Sequence, residues 1–302
     1  MAGRTLPAPT SAWGAWYLAA RPATLSAAVS PVLVGTAGAA ARDHFRPAVF
    51  IAALSASILI QIGSNLANDV FDFEKGADTE SRLGPPRVTA TGVMTPQQVR
   101  NGMLLAFGGA AAIGVYLSIV GGWPILAIGA ICILFAVLYT GGPYPLGYYG
   151  LGDAAVFVCF GMLAVLGSYY LQADGLNAVA WGAVIPVGFI VTAILVVNNL
   201  RDIETDREAH KHTLGVLLGD HLTRVEYAVL IIGAYLSMPL LMAAGSGPWV
   251  WLSWLSLPLA LPDLRAVIGG TKGRALNPVL KHTSRLHLAF GSLLALGLLL
   301  GG

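Results

Sequence analysis

Two short stretches hold most of the residues able to do chemistry. One runs Asn65-Leu-Ala-Asn68-Asp69-Val-Phe-Asp72-Phe-Glu-Lys75-Gly-Ala-Asp78, the other Asn198-Asn199-Leu-Arg201-Asp202-Ile-Glu204-Thr-Asp206. Asp69 and Asp72 are three apart, and Asp202 and Asp206 four apart. On a helix both spacings put the carboxylates on one face. Clustered carboxylates repel, and a bound cation is the natural way to hold them together. Hard oxygen ligands select Mg²⁺ or Ca²⁺. Mg²⁺ typically takes one or two carboxylates and completes its shell with substrate phosphate oxygens. Lys75, Arg82, Arg87, Arg201, Arg207 and Lys211 lie among the acids, and their cations bind phosphate oxygens well. One such stretch alone reads as a solvated face with salt bridges. Two with the same grammar, each led in by Asn, read as a paired site.

The elements that carry these stretches belong in lipid. The chain has 302 residues, 56% hydrophobic and 11% charged, where a soluble domain carries roughly 25% charged residues. Apolar runs of membrane-crossing length recur at about 23–41, 48–68, 101–120, 123–140, 152–171, 178–200, 223–244, 247–263 and 285–301. Backbone groups in lipid must be paired internally, so these runs are expected to be helices. The first follows Arg21-Pro22 without a small-residue cleavage site and is read as a membrane helix, not a secretory signal. Trp249, Trp251 and Trp254 mark an interfacial belt. With nine spans, fifteen of the 17 Lys and Arg residues fall on the N-terminal side, and only Arg42 and Arg46 on the other. The positive-inside rule then makes the N-terminus and both acidic stretches cytoplasmic.

An apolar bundle with carboxylates and cations at its inner rim suits a lipid diphosphate. The expected fold is all-α: a polytopic membrane protein of nine transmembrane helices in a single domain, residues 1–302. The two motifs stand four spans apart, which divides the chain into an N-terminal repeat at about 23–140, a C-terminal repeat at about 152–263 and a final helix at about 285–301. Cys132 and Cys159 sit in apolar runs and read as small core residues. His44, His210, His212, His221, His282 and His287 have no ligand spacing and read as loop residues. Gln61, one turn before Asn65, suits either ligand binding or an interhelical hydrogen bond.

At its motifs the chain resembles the UbiA superfamily of intramembrane aromatic prenyltransferases, which carries an Asn-Asp-x-x-Asp motif after its second helix and an Asp-x-x-x-Asp motif after its sixth. Further stretches are similar to the MenA branch of that family: Arg21-Pro22-Ala-Thr24-Leu25; Gly76-Ala-Asp78-Thr79 with Arg82-Leu-Gly84-Pro85-Pro86-Arg87; Tyr139-Thr-Gly-Gly-Pro143 with Gly150-Leu-Gly152-Asp153; and Lys211-His-Thr213-Leu214. The six-residue step from Asp72 to Asp78 matches that branch, whereas His210 stands where the branch usually has Gly.

The resemblance implies transfer of a polyprenyl group from a polyprenyl diphosphate to 1,4-dihydroxy-2-naphthoate, with decarboxylation, giving demethylmenaquinone. It implies two Mg²⁺, one served by Asn65, Asp69, Asp72 and Asp78 and the other by Asp202 and Asp206. Lys75, Arg82, Arg87, Arg201 and Lys211 would neutralise the leaving diphosphate, and Tyr139 would stabilise the allylic cation. Asp72, Asp202, Tyr139 and Lys211 form the expected catalytic set. Gln61, Arg21, Asn68, Asn198 and Asn199 are candidates for binding the acceptor. The motifs leave open another acceptor, such as 4-hydroxybenzoate, homogentisate, a chlorophyllide or a glycerol lipid. A secondary transporter is a more distant alternative. The expected partners are the two substrates and the lipid of the cytoplasmic (inner) membrane, with no nucleic acid.

Overall fold

The computed structural model describes residues 11–77 and 82–301, so Asp78 and Thr79 lie outside the described residues. Among the described residues the chain is helical, with no strand. In order come α1 (Ala12–Ala20), α2 (Ser26–Ala40), α3 (Pro47–Glu74), α4 (Pro96–Gly121), α5 (Trp123–Leu138), α6 (Gly152–Ala173), α7 (Ala178–Glu208), α8 (Leu214–Ala243), α9 (Leu257–Ile268) and α10 (Leu276–Leu300). Among the described residues six helices, α3, α4, α6, α7, α8 and α10, are each long and apolar enough to cross a membrane, and the bent pair α1–α2 makes up to seven. The chain is therefore an all-helical polytopic membrane protein.

Several boundaries differ from those the apolar runs suggest. The first run is the second limb of a pair bent by 51°. Pro22 disfavours a helical Arg21, and Arg21 instead takes φ 49°, ending α1. Near 247–263 there is no continuous helix. Residues Pro248–Ser256 wind as a 3-10 helix before α9, with Pro248 and Pro258 each at the first turn of its helix, where a missing N–H costs nothing. α8 and α10 begin well before residues 223 and 285. His282 and His287 consequently lie within α10, and His287 is fully buried.

The most consequential boundary difference is that α3 and α7 run on past residues 68 and 200, so that the acidic stretches are helical to Glu74 and Glu208. α3 has 28 residues and α7 has 31, lengths of about 42 and 46 Å at 1.5 Å per residue. The hydrocarbon layer is only about 30 Å thick. The helices therefore overrun it by roughly two and three turns, and the overrun carries the acids.

α7 is the most enclosed of the six long helices and packs on α6, α8 and α10, while α3 packs on α4, α5 and α2. Small residues allow the close approaches. A Cβ on Gly35 of α2 would lie 2.3 Å from the Val165 carbonyl oxygen of α6. Gly35→Val is expected to destabilise the bundle by about 2 kcal/mol or more, an overpacking cost. The apparent melting temperature of the purified variant should fall; an unchanged value would refute this contact.

Candidate active site

Both acid-bearing helices end in the same way. At the end of α3, Gly76 has φ 67°, Gly76 N–H donates to Phe73 O (3.0 Å) and Ala77 N–H to Asp72 O (2.9 Å). At the end of α7, His210 has φ 55°, His210 N–H donates to Arg207 O (3.1 Å) and Lys211 N–H to Asp206 O (2.8 Å). These are matched Schellman caps, in which a left-handed residue lets the chain turn back over the helix end. His210 thus keeps the backbone shape that glycine favours. Counted from the caps, Asp206 is the counterpart of Asp72, Asp202 of Asn68, and Asn199 of Asn65.

All six of those side chains line one cavity of about 290 Å³. Arg21, Gln61, Arg82, Arg87, Tyr139, Asn198 and Lys211 line it too. Its inner wall is apolar, formed in part by Ile60, Phe135, Phe160, Ile194 and Leu195. Acids, cations and a greasy wall therefore share one space between the ends of α3 and α7.

Asp72 is the meeting point of the two halves. It is 2% exposed. Its Oδ2 pairs with the Arg87 guanidinium, while its Oδ1 accepts from Tyr148 OH and from Lys211 Nζ at 3.3 Å. Lys211 arrives from the cap of α7, so one ion pair links the two motifs. The ammonium groups of Lys211 and Lys75 stand 4.6 and 5.1 Å from the centre of the Tyr148 ring, within cation–π range. Burial pulls Lys75 below the usual lysine pKa, partly opposed by Asp72.

Asp202 is held differently. Arg201 Nε donates to its Oδ1 at 2.8 Å, and Arg201 Nη2 pairs with its Oδ2. The same guanidinium reaches Asn277 Oδ1 (2.9 Å) and Asn198 Oδ1 (2.8 Å). The Asp206 side chain faces the same cavity, its carboxylate making no hydrogen bond among the described residues.

Several expectations need correction. Asp69 does not line the cavity; its carboxylate accepts from Val88 N–H and Thr89 N–H, both at 3.2 Å, and from the Thr89 hydroxyl. Arg201 is committed to Asp202, Asn198 and Asn277 and does not line the cavity. Lys75 also does not line it; its ammonium donates to Thr140 O (2.6 Å) and Gly142 O (3.1 Å), carbonyls left free at the end of α5. Asn65 lines the cavity, and its Nδ2 donates to Ala20 O and Thr24 Oγ1, both at 2.9 Å, which leaves its Oδ1 as the atom able to ligate a cation. Gln61 makes an interhelical-type bond, its Nε2 donating to Thr24 Oγ1 (3.2 Å), while its buried Oε1 has no partner. The expected ligand Asp78 lies outside the described residues.

Tyr148, Thr24 and Asn277 were not singled out by spacing. Thr24 stands in the Arg21–Leu25 stretch that carries the family resemblance, and Tyr148 in a tyrosine doublet near the Gly-rich turn; Asn277 has no local signal.

Among the described residues no three His, Cys, Asp or Glu side chains form a ready-made metal cage. That is compatible with Mg²⁺, which relies on a few carboxylates and on substrate phosphates. Asp72, Asp202 and Asp206, with Asn65, supply hard oxygens facing one space, and the cations around them suit an anionic ligand.

Comparison with known proteins places this architecture. The model of the UbiA prenyltransferase family matches residues 28–275. The 1,4-dihydroxy-2-naphthoate octaprenyltransferase of Mycobacterium tuberculosis is 40% identical, covering 95% of this chain and 97% of the relative. The enzyme of the same description from Escherichia coli is 38% identical, covering 95% of each chain. A UbiA homolog from Archaeoglobus fulgidus, solved with DMAPP and Mg²⁺, superimposes with a TM-score of 0.62 at 12% identity, over 92% of this chain and 98% of that one. This chain belongs to the UbiA prenyltransferase family.

Proposed function

We propose that this enzyme transfers a polyprenyl group from a polyprenyl diphosphate to 1,4-dihydroxy-2-naphthoate, with loss of the carboxyl group as CO₂. The observation that carries the reading is the single cavity onto which both acid-bearing helix ends open, joined by the Asp72–Lys211 pair. The acceptor follows from the full-length similarity to relatives described as 1,4-dihydroxy-2-naphthoate octaprenyltransferases.

Two Mg²⁺ would be held by Asp72 with Asn65 and by Asp202 with Asp206, with Asp78 as a further ligand, and would supply charge neutralisation for the leaving diphosphate. The protein's own groups do the rest. Arg82, Arg87 and Lys211 hold the phosphate oxygens beside the acids. The allylic C–O bond breaks and its electron pair leaves with the diphosphate. The Tyr139 ring faces the resulting cation. The apolar wall keeps water from capturing it and continues as a groove for the prenyl tail. An electron-rich ring carbon of the naphthoate then attacks the allylic carbon. Arg21, Gln61, Asn198 and Asn199 would position that ring.

The same reading includes the topology. Nine crossings are reached by counting α5 and the broken 3-10/α9 segment as spans. They form one domain of two four-helix units, α2–α5 and α6–α9, plus α10, and the matched caps of α3 and α7 support that division. The Lys/Arg asymmetry orients the site toward the cytoplasm.

The test is product analysis with the purified protein in detergent, where no gradient exists. Dihydroxynaphthoate and a mixture of prenyl diphosphates should yield a prenylated, decarboxylated naphthalenediol by mass spectrometry. Excess EDTA should abolish the reaction and added Mg²⁺ restore it. Preference for 4-hydroxybenzoate or homogentisate would overturn the acceptor assignment. Undiminished transfer in EDTA would overturn the metal assignment.

A further inference from the structure

Asp69 belongs to the first acidic stretch yet is turned away from the cavity. It lies three residues before Asp72, which places it about 60° round the helix from that side chain. It is 1% exposed. Its carboxylate holds the backbone of Val88 and Thr89 through two N–H bonds of 3.2 Å and also accepts from the Thr89 hydroxyl. The adjacent residue, Arg87, lines the cavity and pairs with Asp72 and with Asn68 O. From the other side, Arg21 Nη2 stands 3.8 Å from Asp69 Oδ2 and also lines the cavity. One buried carboxylate therefore anchors two cavity cations supplied by separate segments. The counterpart position in α7, counted from the matched cap, is Ile203, which is buried and does not line the cavity. The second half builds its part of the site without an oxygen ligand there.

We infer that Asp69 is a positioning residue and not a metal ligand: it fixes Arg87, and with it Arg21, against the cavity and so sets affinity for the diphosphate donor. This rests on the donor assignment proposed above. Asparagine at position 69 keeps the shape, but it brings an amide N–H against one of the two backbone N–H donors. The 87–89 turn must then shift and carry Arg87 with it.

The test is steady-state kinetics of the purified full-length protein with Asp69→Asn, Arg87→Met and the double variant, titrating donor and Mg²⁺ separately. Asp69→Asn should raise the donor KM about tenfold with little change in kcat, the pattern of lost ground-state binding. The half-saturating Mg²⁺ concentration should stay at the wild-type value. In the Arg87→Met background the same change should add little, because coupled residues are not additive. A raised Mg²⁺ requirement with a collapsed kcat would overturn the inference in favour of metal ligation. Full multiplication of the two single effects would overturn it by showing that Asp69 does not act through Arg87. Should Asp69→Asn fail to fold, Thr89→Val removes one bond to the same carboxylate and should shift donor KM in the same direction; an unchanged KM counts against the inference. A wild-type sample with no prenyl transfer would overturn the donor reading itself, and the role of Asp69 with it, before any variant is compared.

Discussion

Asp72→Ala is expected to abolish prenyl transfer, lowering turnover about a thousandfold or more, while the protein still inserts and purifies as a monodisperse species. Asp72 is the one carboxylate on which Arg87, Tyr148 and Lys211 all converge. Its removal takes away a hard oxygen and leaves two buried-side cations without their counter-charge. Charge stabilisation at a metal–phosphate centre is worth several kcal/mol, and each 1.36 kcal/mol is about tenfold in rate. Asp72→Asn keeps an acceptor for Tyr148 but not the charge, and should be nearly as inactive. Product formation per mole of protein, with a size-exclusion profile beside it, is the measurement. Near-wild-type turnover in either variant would remove Asp72 from the metal site.

Arg201→Met is expected to cost both stability and activity. The Arg201 side chain is 1% exposed and Asp202 is 12% exposed, so the change strands a largely buried carboxylate. Breaking such a pair from one side costs about 3–5 kcal/mol, and the residual exposure of Asp202 favours the lower end. A lysine should not rescue it. One ammonium cannot reproduce a planar fork that contacts Asp202, Asn198 and Asn277 together. The packing is specific as well: a Cβ on Gly84 would stand 2.8 Å from Arg201 Nη2. Thermal unfolding in detergent should show a marked drop for both variants, with activity falling in parallel through misplacement of Asp202. Wild-type melting and turnover in Arg201→Lys would show that the fork is dispensable.

Much of the site could be read before any coordinates. Helical spacing placed Asp202 and Asp206 on one face, and the paired motifs pointed to a shared ligand. Spacing also grouped Asp69 with Asp72, although an angular difference of about 60° is enough to put one carboxylate on the cavity and the other on a neighbouring turn. The alignment of the two motifs was similarly approximate. Each was read from its leading asparagines, whereas the caps set the physical register and pair Asp72 with Asp206. The role expected of Arg201 failed for a different reason: its partner Asn277 lies 76 residues away, beyond any local pattern. The broken segment before α9 is not legible in hydropathy, which registers apolar content and not how the backbone winds.

Composition and periodicity settle what depends on solvent and on neighbours within one helix: residence in lipid, helices as the structural unit, and acids grouped at the ends of two of them. The packing of helices against one another determines the rest. It decides which carboxylates open on the cavity, which arginines are consumed in holding them, and that Tyr148, Thr24 and Asn277 belong to the site. A side chain's angle on its own helix is a local property of the chain. The face that meets a cavity exists only once several helices, far apart in sequence, have come together.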